Sequence, residues 1–347
     1  MMRFVARVSS SDRYDLVVIG GGSAGLTAAD FAARIGAKVL IATEQVGGDC
    51  TWTGCIPSKA LIRAARLARD QLHAGSSGIG TGEVRVDFPR VMAEVREVIA
   101  RVYSYETPEV LAGRGIEVAI GPVRFVNSHE IGVADRRISG NHFVICTGAA
   151  PALPPIPGLA SAPHLTYETV FEINRLPASM IVLGAGATGV ELAQAFARLG
   201  SSVTLIDQRD SVLPGVDAEA SAVIERRLEA EGVTVQTSAA VTKVTGQGGR
   251  LRLEAGASQI EAESLVVVTG RRPRVTGLDL DRAGVEVRNE AILVDKYLRT
   301  SNSRVYASGD VTGGSQFTHY AGRHGYVAAR NAVPPGAPAS VRPSPPR

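Results

Sequence analysis

Two stretches of the chain repeat one pattern and decide its fold. The first, from Asp15 to Glu44, reads DLVVIGGGSAGLTAADFAARIGAKVLIATE, and the second, from Ser179 to Gln208, reads SMIVLGAGATGVELAQAFARLGSSVTLIDQ. Each predicts a short apolar strand, a glycine-rich turn, an amphipathic helix and a second apolar strand. The sequence therefore predicts an α/β protein with two Rossmann-like dinucleotide-binding domains.

The turn in each repeat has the spacing G-x-G-x-x-G directly after a strand. The glycines are Gly20, Gly22 and Gly25 in the first copy and Gly184, Gly186 and Gly189 in the second. Glycine lets the backbone approach a pyrophosphate, whose charge then lies at the helix N-terminus among unpaired N–H groups. One such turn is weak evidence, but two copies in the same strand-turn-helix context predict two dinucleotide sites.

The residue that ends the second strand of each repeat would meet a ribose. Asp207, 23 positions after Gly184, favours NAD over NADP because a carboxylate accepts from the 2′-hydroxyl and repels a 2′-phosphate. Arg209 close by keeps NADP as the alternative. The same count from Gly20 leads to Thr43, next to Glu44. Either residue could hold that ribose, and Glu44 is equally compatible with a solvated loop acid.

Composition narrows the class of protein. The 347 residues include 45% hydrophobic and 20% charged residues, which is typical of a globular chain with a sizeable interior. A formal net charge of +3, without a basic stripe, gives no reason to expect nucleic acid or an anionic membrane as a partner. No apolar run approaches the roughly 18 to 20 residues that span a bilayer. The scarcity of cysteine predicts a reducing compartment, the cytoplasm.

Two of the three cysteines, Cys50 and Cys55, lie in GGDCTWTGCIPSKAL, residues 47–61. In a regular helix this spacing is about 7.5 Å along the axis, beyond the roughly 4.4 to 6.8 Å of a disulfide. A bridge would need a loop or a distorted helix, which Gly54 permits; two unrelated thiols are the alternative. A metal site is disfavoured because no second cysteine pair or histidine cluster accompanies them, so no metal ligand is assigned.

A helix is expected to start just after Cys55, and its N-terminus together with Lys59 would stabilise a thiolate there. A stabilised thiolate beside a pair that opens and closes predicts dithiol-disulfide exchange, supplied with electrons by a flavin and a nicotinamide.

The rest of the chain predicts helices over 58–73 and 88–106 and strands within 114–146. Cys146 is interpreted as a small buried hydrophobe. A third strand, RVYASGD, ends at Gly309 and Asp310.

These motifs resemble the class I pyridine nucleotide-disulfide oxidoreductases, which include dihydrolipoamide dehydrogenase, glutathione reductase and mercuric reductase. GGDCTWTGCIPSKAL is similar to their redox-active signature. The resemblance extends over most of residues 14–332 through GGGSAG, TGAAPALPPIPG, GAGATGVE, TGRRP and VYASGDVTGG. GGDC and FTHYAGRHGYVAARN look nearest to the mercuric reductase-like branch.

The resemblance implies FAD on the first loop and NAD(P)H on the second, with hydride passing from nicotinamide to flavin. The implied FAD-binding residues are Gly20, Gly22, Ser23, Ala24, Gly25, Glu44, Gly48, Thr147, Gly148 and Asp310. The implied NAD(P)-binding residues are Gly184, Gly186, Thr188, Gly189, Asp207 and Gly270. NAD(H) is favoured over NADP(H).

The resemblance also implies catalytic roles. Cys55 would be the thiolate facing the flavin, Cys50 would exchange with substrate, and Lys59 would pair with Glu191. From the residues alone, Glu191 lies in the first turn of its helix, where it could be only a dipole partner. The implied enzyme is an NAD(P)H disulfide oxidoreductase that acts on a disulfide, a thiol-bound metal or a small acceptor. The alternatives are a diaphorase-like flavoprotein with vestigial cysteines and a non-catalytic nucleotide-binding remnant.

The expected domain organisation follows from the motifs. It comprises a disordered N-terminus (1–13), an FAD-binding domain in two parts (14–155 and 271–332), an inserted NAD(P)-binding domain (156–270) and a Pro-rich disordered tail (333–347). Relatives continue into a C-terminal domain that forms the homodimer and supplies a catalytic His-Glu pair. We expect that domain to be missing, the homodimer to be lost or weakened, and the half-reaction with substrate to be weak or supplied by something else. None of the histidines is assigned to that role, and His319 is expected to pack on the flavin side.

Overall fold

The computed structural model of the protein describes residues 13–78, 84–247, 249–256, 258–334, 336 and 338–341. The chain forms two compact units. Of these residues, the first unit comprises those within 13–50, 102–150 and 272–341, and the second comprises those within 51–101 and 151–271. The assignment of domains to particular cofactors remains a prediction. The expected disorder of residues 1–12 and 342–347 concerns positions outside the described residues.

Helices and strands alternate along most of the described chain. The helices are α1 (Ser23–Arg34), α2 (Gly48–Trp52), α3 (Cys55–His73), α4 (Phe88–Tyr103), α5 (Pro108–Gly113), α6 (Ala187–Leu199), α7 (Ala218–Ala230) and α8 (Thr318–Ala332). Short 3₁₀ helices span Ala74–Ser77, Leu159–Ser161, Leu280–Ala283 and Gly309–Thr312.

The strands follow the same order. They are β1 (Arg13–Gly21), β2 (Val39–Val46), β3 (Ile116–Ile120), β4 (Val123–Asn127), β5 (Glu130–Val133), β6 (Arg136–Ile145), β7 (Ala149–Pro151), β8 (Leu165–Thr166), β9 (Ser179–Leu183), β10 (Ser202–Ile206), β11 (Val233–Gln236), β12 (Val241–Gln247), β13 (Arg250–Ala255), β14 (Ser258–Ala262), β15 (Ser264–Val267), β16 (Arg271–Pro273), β17 (Val287–Arg288), β18 (Ala291–Ile292) and β19 (Val305–Ala307).

The first unit is built on a sheet of order β3-β2-β1-β6-β5-β4, with β19 also pairing with β6. Strands β3, β2, β1, β6 and β19 run parallel, and β5 and β4 add an antiparallel edge. The central strand β1 is almost continuously buried, as expected for a parallel strand covered on both faces. Helices α1 and α8 pack together over this sheet through alanine-rich faces.

The second unit is built on a parallel sheet of order β11-β10-β9-β15-β8, and β12, β13 and β14 form a separate antiparallel sheet. Its core includes an apolar face of α4 formed by Phe88, Met92, Val95 and Ile99. These residues are three or four positions apart, which is the period of one helix face. Parallel strands alternating with helices in each unit confirm the predicted fold class of two Rossmann-like α/β domains.

Element boundaries differ from the sequence-based expectations in two places. The helix expected over 58–73 begins at Cys55, and the one expected over 88–106 ends at Tyr103. The described part of the C-terminal tail also differs from the expected disorder. Ala339 N donates to Asn331 Oδ1 at 2.7 Å, and Val341 N donates to the Lys296 carbonyl at 2.9 Å. A side-chain amide therefore holds a segment that its proline content alone suggests is unstructured.

Candidate functional site

The first glycine loop has a backbone that only glycine can supply. Gly20 has φ +111°, and a Cβ there would lie 2.3 Å from the Cys146 carbonyl oxygen. A Cβ at Gly25 would lie 2.0 Å from the Gly20 carbonyl oxygen. Helix α1 starts at Ser23 with Gly22 as its N-cap, which has no side chain to occupy the first N–H groups. Those N–H groups and the close backbone approach fit a pyrophosphate.

Other segments of the first unit cover this loop. A Cβ at Gly48, whose φ is +60°, would lie 2.6 Å from Gly22 Cα. Gly47 N donates to the Gly21 carbonyl at 2.8 Å. Ala24 is buried beneath α8, where a Cβ at Gly325 would lie 2.1 Å from the Ala24 carbonyl oxygen. The loop is thus enclosed by backbone from distant parts of the sequence.

The second glycine loop has the same backbone in a more open setting. Gly184 has φ +114°, and a Cβ there would lie 2.6 Å from the Val268 carbonyl oxygen. A Cβ at Gly189 would lie 1.8 Å from the Gly184 carbonyl oxygen. At Gly186, the N-cap of α6, a Cβ would meet no described atom within 4 Å. Thr188 is exposed in the first turn of α6. This loop therefore also fits a pyrophosphate, with no close neighbour at its N-cap.

The two residues considered for the first ribose have different surroundings. Thr43 is buried, and its hydroxyl accepts from Gly21 N at 3.1 Å and donates to the Gln45 carbonyl at 2.8 Å. Its side chain therefore supports the glycine loop from within. Glu44, the next residue, is exposed and lies two residues before the end of β2. The buried loop contact of Thr43 was not predicted, because nothing in its sequence context distinguishes it from a ribose contact.

Asp207 supports the second loop in the same way. Its Oδ2 accepts from Ala185 N at 2.7 Å, and its Oδ1 accepts from Arg209 N at 2.9 Å and Arg209 Nε at 3.1 Å. Burial favours a higher pKa for Asp207, but the hydrogen bonds from Arg209 and Ala185 outweigh it and hold the pKa below its usual value. Asp207 is therefore an ionised carboxylate that is paired with the cation of Arg209 and supports the second loop.

The dithiol segment is not one continuous helix. Cys50 lies in α2, which ends at Trp52, and α3 begins at Cys55 after Gly54, whose φ of −118° and ψ of −114° break the helix. A bridge between the two cysteines requires such a distortion of the helix. The disulfide between Cys50 and Cys55 remains a prediction. Both cysteines are half-buried thiols in the structure. As the first residue of α3, Cys55 lies where a helix dipole stabilises an anion.

Lys59 and Glu191 contact each other within the second unit. Lys59 Nζ, on α3, lies 2.8 Å from both carboxylate oxygens of Glu191 on α6. The side chains are 60% and 39% exposed, so the pair contributes little to stability. Because α6 begins at Ala187, Glu191 lies in its second turn. The expectation that it lies in the first turn is wrong, which weakens its interpretation as a dipole partner.

The remaining predicted cofactor residues lie near the carboxyl ends of strands. Thr147 and Gly148 follow β6, and Asp310 follows β19, which runs parallel to β6. Asp310 is half-buried in the first turn of a short 3₁₀ helix. In the second unit, Gly270 follows β15 with φ +157° and is exposed. Strand ends are where ligands bind in parallel α/β sheets.

Cys146 is buried, as predicted. Its Sγ lies 3.2 Å from Ser308 Oγ, and burial raises the pKa of the thiol to about 12. A thiol with that pKa is not a nucleophile at neutral pH. Cys146 is therefore part of the structure beside the first loop and takes no part in thiol exchange.

One ion pair at the first loop was missed by the sequence analysis. Arg274 Nη1 lies 3.3 Å from Asp49 Oδ1, in the first unit. Asp49 belongs to the quoted GGDC motif, and Arg274 directly follows the quoted TGRRP motif. Sequence reasoning could have flagged both charges but could not have paired residues so far apart in the chain.

In the described part of the chain, no helix combines the length and the apolar character that a bilayer crossing needs. Within the same residues, no group of three or more His, Cys, Asp and Glu side chains is arranged to hold a metal ion.

The two loops, each between parallel strands and a helix, define a protein of the double Rossmann-like α/β class. The chain belongs to the pyridine nucleotide-disulphide oxidoreductase family, whose sequence profile matches residues 14–325. Membership implies FAD and a pyridine nucleotide as cofactors.

Similar proteins include enzymes with different substrates. A mercuric reductase of Bacillus cereus is 36% identical over 326 residues, covering 92% of this chain and 52% of the relative. A dihydrolipoyl dehydrogenase of Thermus scotoductus is 36% identical over 339 residues, covering 92% of this chain and 71% of the relative. The solved structure of the HOCl-induced flavoprotein disulfide reductase RclA from Escherichia coli has a TM-score of 0.84 at 30% identity, covering 94% of this chain and 72% of that chain. The chain thus spans about half the length of the Bacillus cereus relative.

Proposed function

We propose that the protein is an FAD-dependent NAD(P)H disulfide oxidoreductase that delivers electrons through Cys50 and Cys55. The observation that carries the proposal is the combination of two pyrophosphate-binding loops with a cysteine segment whose second thiol begins a helix. When bound, FAD would supply the chemistry that converts a hydride from the nicotinamide into electrons for the disulfide. The protein's own residues would bind and orient the cofactors, and its two cysteines would carry out the thiol exchange.

The first loop is assigned to FAD and the second to NAD(P)H. Enclosure by Gly48 and α8 suits a cofactor that stays bound, whereas the open approach at Gly186 suits a coenzyme that binds and leaves. For the FAD ribose we assign Glu44, since the Thr43 hydroxyl already serves the loop. Asp310 would contact the ribityl chain.

We propose NADH as the preferred coenzyme. The oxygens of Asp207 already accept from Ala185 N and Arg209, so the preference rests on the charge of this ionised carboxylate, which repels a 2′-phosphate. Arg209, whose side chain is 48% exposed, partly neutralises that carboxylate. The preference for NADH over NADPH should therefore be modest.

The thiol chemistry would proceed in two balanced exchanges. In the reduced protein, the Cys50 thiolate attacks a substrate disulfide RSSR, forming a mixed disulfide and releasing one RS⁻. The Cys55 thiolate then attacks the Cys50 sulfur, which forms the Cys50–Cys55 disulfide and releases the second RS⁻. With protonation of both products, the net reaction is NADH + H⁺ + RSSR → NAD⁺ + 2 RSH. A reducing compartment such as the cytoplasm would suit this chemistry.

The physiological acceptor is proposed as a class. A small disulfide is the first choice, and the similarity to a mercuric reductase makes thiol-bound mercury(II) a candidate. A second candidate function is a diaphorase-like flavoprotein that reduces dyes or quinones without using the cysteines. The half-exposed helix N-terminus at Cys55 favours the dithiol route, because such a position has no evident purpose in a diaphorase.

Steady-state assays of the purified, FAD-loaded chain test the proposal. With NADH, we expect reduction of the disulfide reagent DTNB, and we expect Cys50→Ser and Cys55→Ser each to lower it to the background rate. Cys146→Ser is the matched control and should retain the activity, because that thiol is buried and protonated. Dye reduction without any DTNB reduction by the wild type would support the diaphorase instead.

A further inference from the structure

We propose that Arg274 is a positioning residue that holds the segment Gly47–Cys50, here called the cysteine loop, against the first glycine loop. The inference rests on the proposed role of Cys50 in thiol exchange. Arg274 Nη1 lies 3.3 Å from Asp49 Oδ1, and Asp49 directly precedes Cys50. The ion pair therefore acts at the residue next to the exchanging sulfur.

The backbone of Arg274 is fixed to a predicted FAD-binding segment. Arg274 N donates to the Gly148 carbonyl at 3.0 Å, and Thr147 Oγ1 donates to the Arg274 carbonyl at 2.7 Å. Gly148 is also close to the guanidinium, since a Cβ there would lie 4.0 Å from Arg274 Nη1. The arginine thus projects from a defined support, which limits where its charge can lie.

The other end of the cysteine loop is fixed by backbone alone. Gly47 N donates to the Gly21 carbonyl at 2.8 Å, and Gly48 packs on Gly22 so closely that a Cβ would lie 2.6 Å from Gly22 Cα. Two glycines have no side chains with which to hold the next residues. Asp49 is the first residue of the loop with a side chain beyond hydrogen, and its carboxylate forms an ion pair with Arg274.

The pair fits a positioning role better than a stabilising one. The side chains of Arg274 and Asp49 are 41% and 23% exposed, and an ion pair this accessible to water contributes little to global stability. Thiol exchange depends on a near-linear approach of three sulfur atoms, and a misplacement of about 1 Å can slow a reaction by about 100-fold. Loss of the pair should therefore change the chemistry of Cys50 more than the folding of the chain.

The test compares Arg274→Gln, Asp49→Asn, the double variant and Arg274→Lys in the FAD-loaded full chain. Arg272→Gln is the matched control, since Arg272 is 61% exposed and lies 3.9 Å from Glu290 in the same unit. The rate of DTNB reduction by the NADH-reduced protein reports the exchange. Amide hydrogen exchange over residues 47–50, measured without NADH, reports the loop itself.

We expect Arg274→Gln and Asp49→Asn each to slow the reaction with DTNB about tenfold and to speed amide exchange in the loop, with unchanged unfolding temperature. The double variant should be no slower than either single variant, because each single substitution already removes the same ion pair. Arg274→Lys should restore part of the rate. Arg272→Gln should behave like the wild type.

Several results would overturn the inference. One is an Arg274→Gln variant that matches Arg272→Gln in both measurements; another is additive slowing in the double variant. Loss of FAD from both single variants would make the pair a cofactor-binding element instead. If Arg274→Gln fails to fold, Asp49→Asn and Arg274→Lys decide by the same criteria. Failure of the proposed function would give a different result. Cys50→Ser would then retain full DTNB reduction, independently of the rates of the Arg274 variants.

Discussion

The two glycine loops share a backbone and differ in what surrounds it. Gly20 and Gly184 have φ values of +111° and +114°, and in each loop the last glycine approaches the carbonyl of the first. Segments remote in the sequence cover the first loop, whereas the second remains open at Gly186. One sequence pattern therefore provides two settings, and packing by segments distant in the sequence makes the difference between them.

The support beneath each loop shows a second difference. Thr43 and Asp207 occupy equivalent positions and accept from the equivalent N–H groups of Gly21 and Ala185. A neutral hydroxyl needs no counterion, whereas the buried carboxylate of Asp207 is paired with Arg209. The side chain that supports the second loop thus carries a charge, whereas the equivalent side chain beneath the first loop is neutral.

The largest effects on cofactor binding should come from adding a methyl group to the last glycine of each loop. In Gly25→Ala and Gly189→Ala the new Cβ would overlap a backbone oxygen, and such overpacking costs about 1–3 kcal/mol or more. We expect Gly25→Ala to lose FAD, and Gly189→Ala to keep FAD and lose NADH binding. Flavin absorbance and NADH titration measure the two outcomes. Gly186→Ala is the control for folding and should keep the wild-type unfolding temperature; loss of FAD from Gly189→Ala would contradict the assignment of the loops.

The next largest effect, on the free energy of unfolding, is expected when the acid of the second loop is introduced at the equivalent position of the first. Thr43→Asp places a carboxylate in a buried position without a cation, which should cost about 3–5 kcal/mol of unfolding free energy. Gln45 corresponds in position to Arg209, so Thr43→Asp/Gln45→Arg should recover part of that loss. Denaturant unfolding measures both. Equal stability of the single and double variants would show that the equivalence of the two supports is false.

Asp207 should make stability depend on pH. Its pKa is lowered on folding from an unfolded value of about 3.9, so its contribution is fully present above that pH and is lost as the pH falls through the folded pKa. Asp207→Asn should lower the unfolding free energy at pH 7 by about 1–3 kcal/mol and flatten its decline in acid. Unfolding curves between about pH 5 and pH 2 test this, with Thr43→Asn as the comparison that lacks an acid to titrate. A steeper acid decline in Asp207→Asn than in the wild type would contradict it.

The smallest effect is expected from replacing the side chain of Cys146, because its close approach to Gly20 is through the backbone carbonyl. Cys146 and Val268 offer equivalent carbonyl oxygens to Gly20 and Gly184. Cys146→Val should therefore be tolerated, with a loss of about 1 kcal/mol because Ser308 loses a buried partner. FAD content and unfolding temperature measure it. A loss of FAD would show that the thiol, and not only the backbone, matters there.

The sequence predicted the parts of this comparison that depend on local pattern. Strand-turn-helix periodicity and the glycine spacing located both loops, and a buried thiol was correctly inferred at Cys146. The role of Thr43 was open because one side chain can face a ligand or its own loop, and only three-dimensional packing distinguishes these. The pairing of Asp49 with Arg274 depends on strands that bring distant segments together. The contact of Ala339 with Asn331 likewise has no local signature.

The dithiol route requires that electrons from NADH reach Cys50 and Cys55. Its most direct test is an anaerobic addition of one equivalent of NADH to the air-oxidised, FAD-loaded protein, followed by alkylation and mass spectrometry. The account predicts two new alkylated thiols per chain, at Cys50 and Cys55, with Cys146 unmodified. Oxidation of NADH without new thiols at these two positions would contradict it.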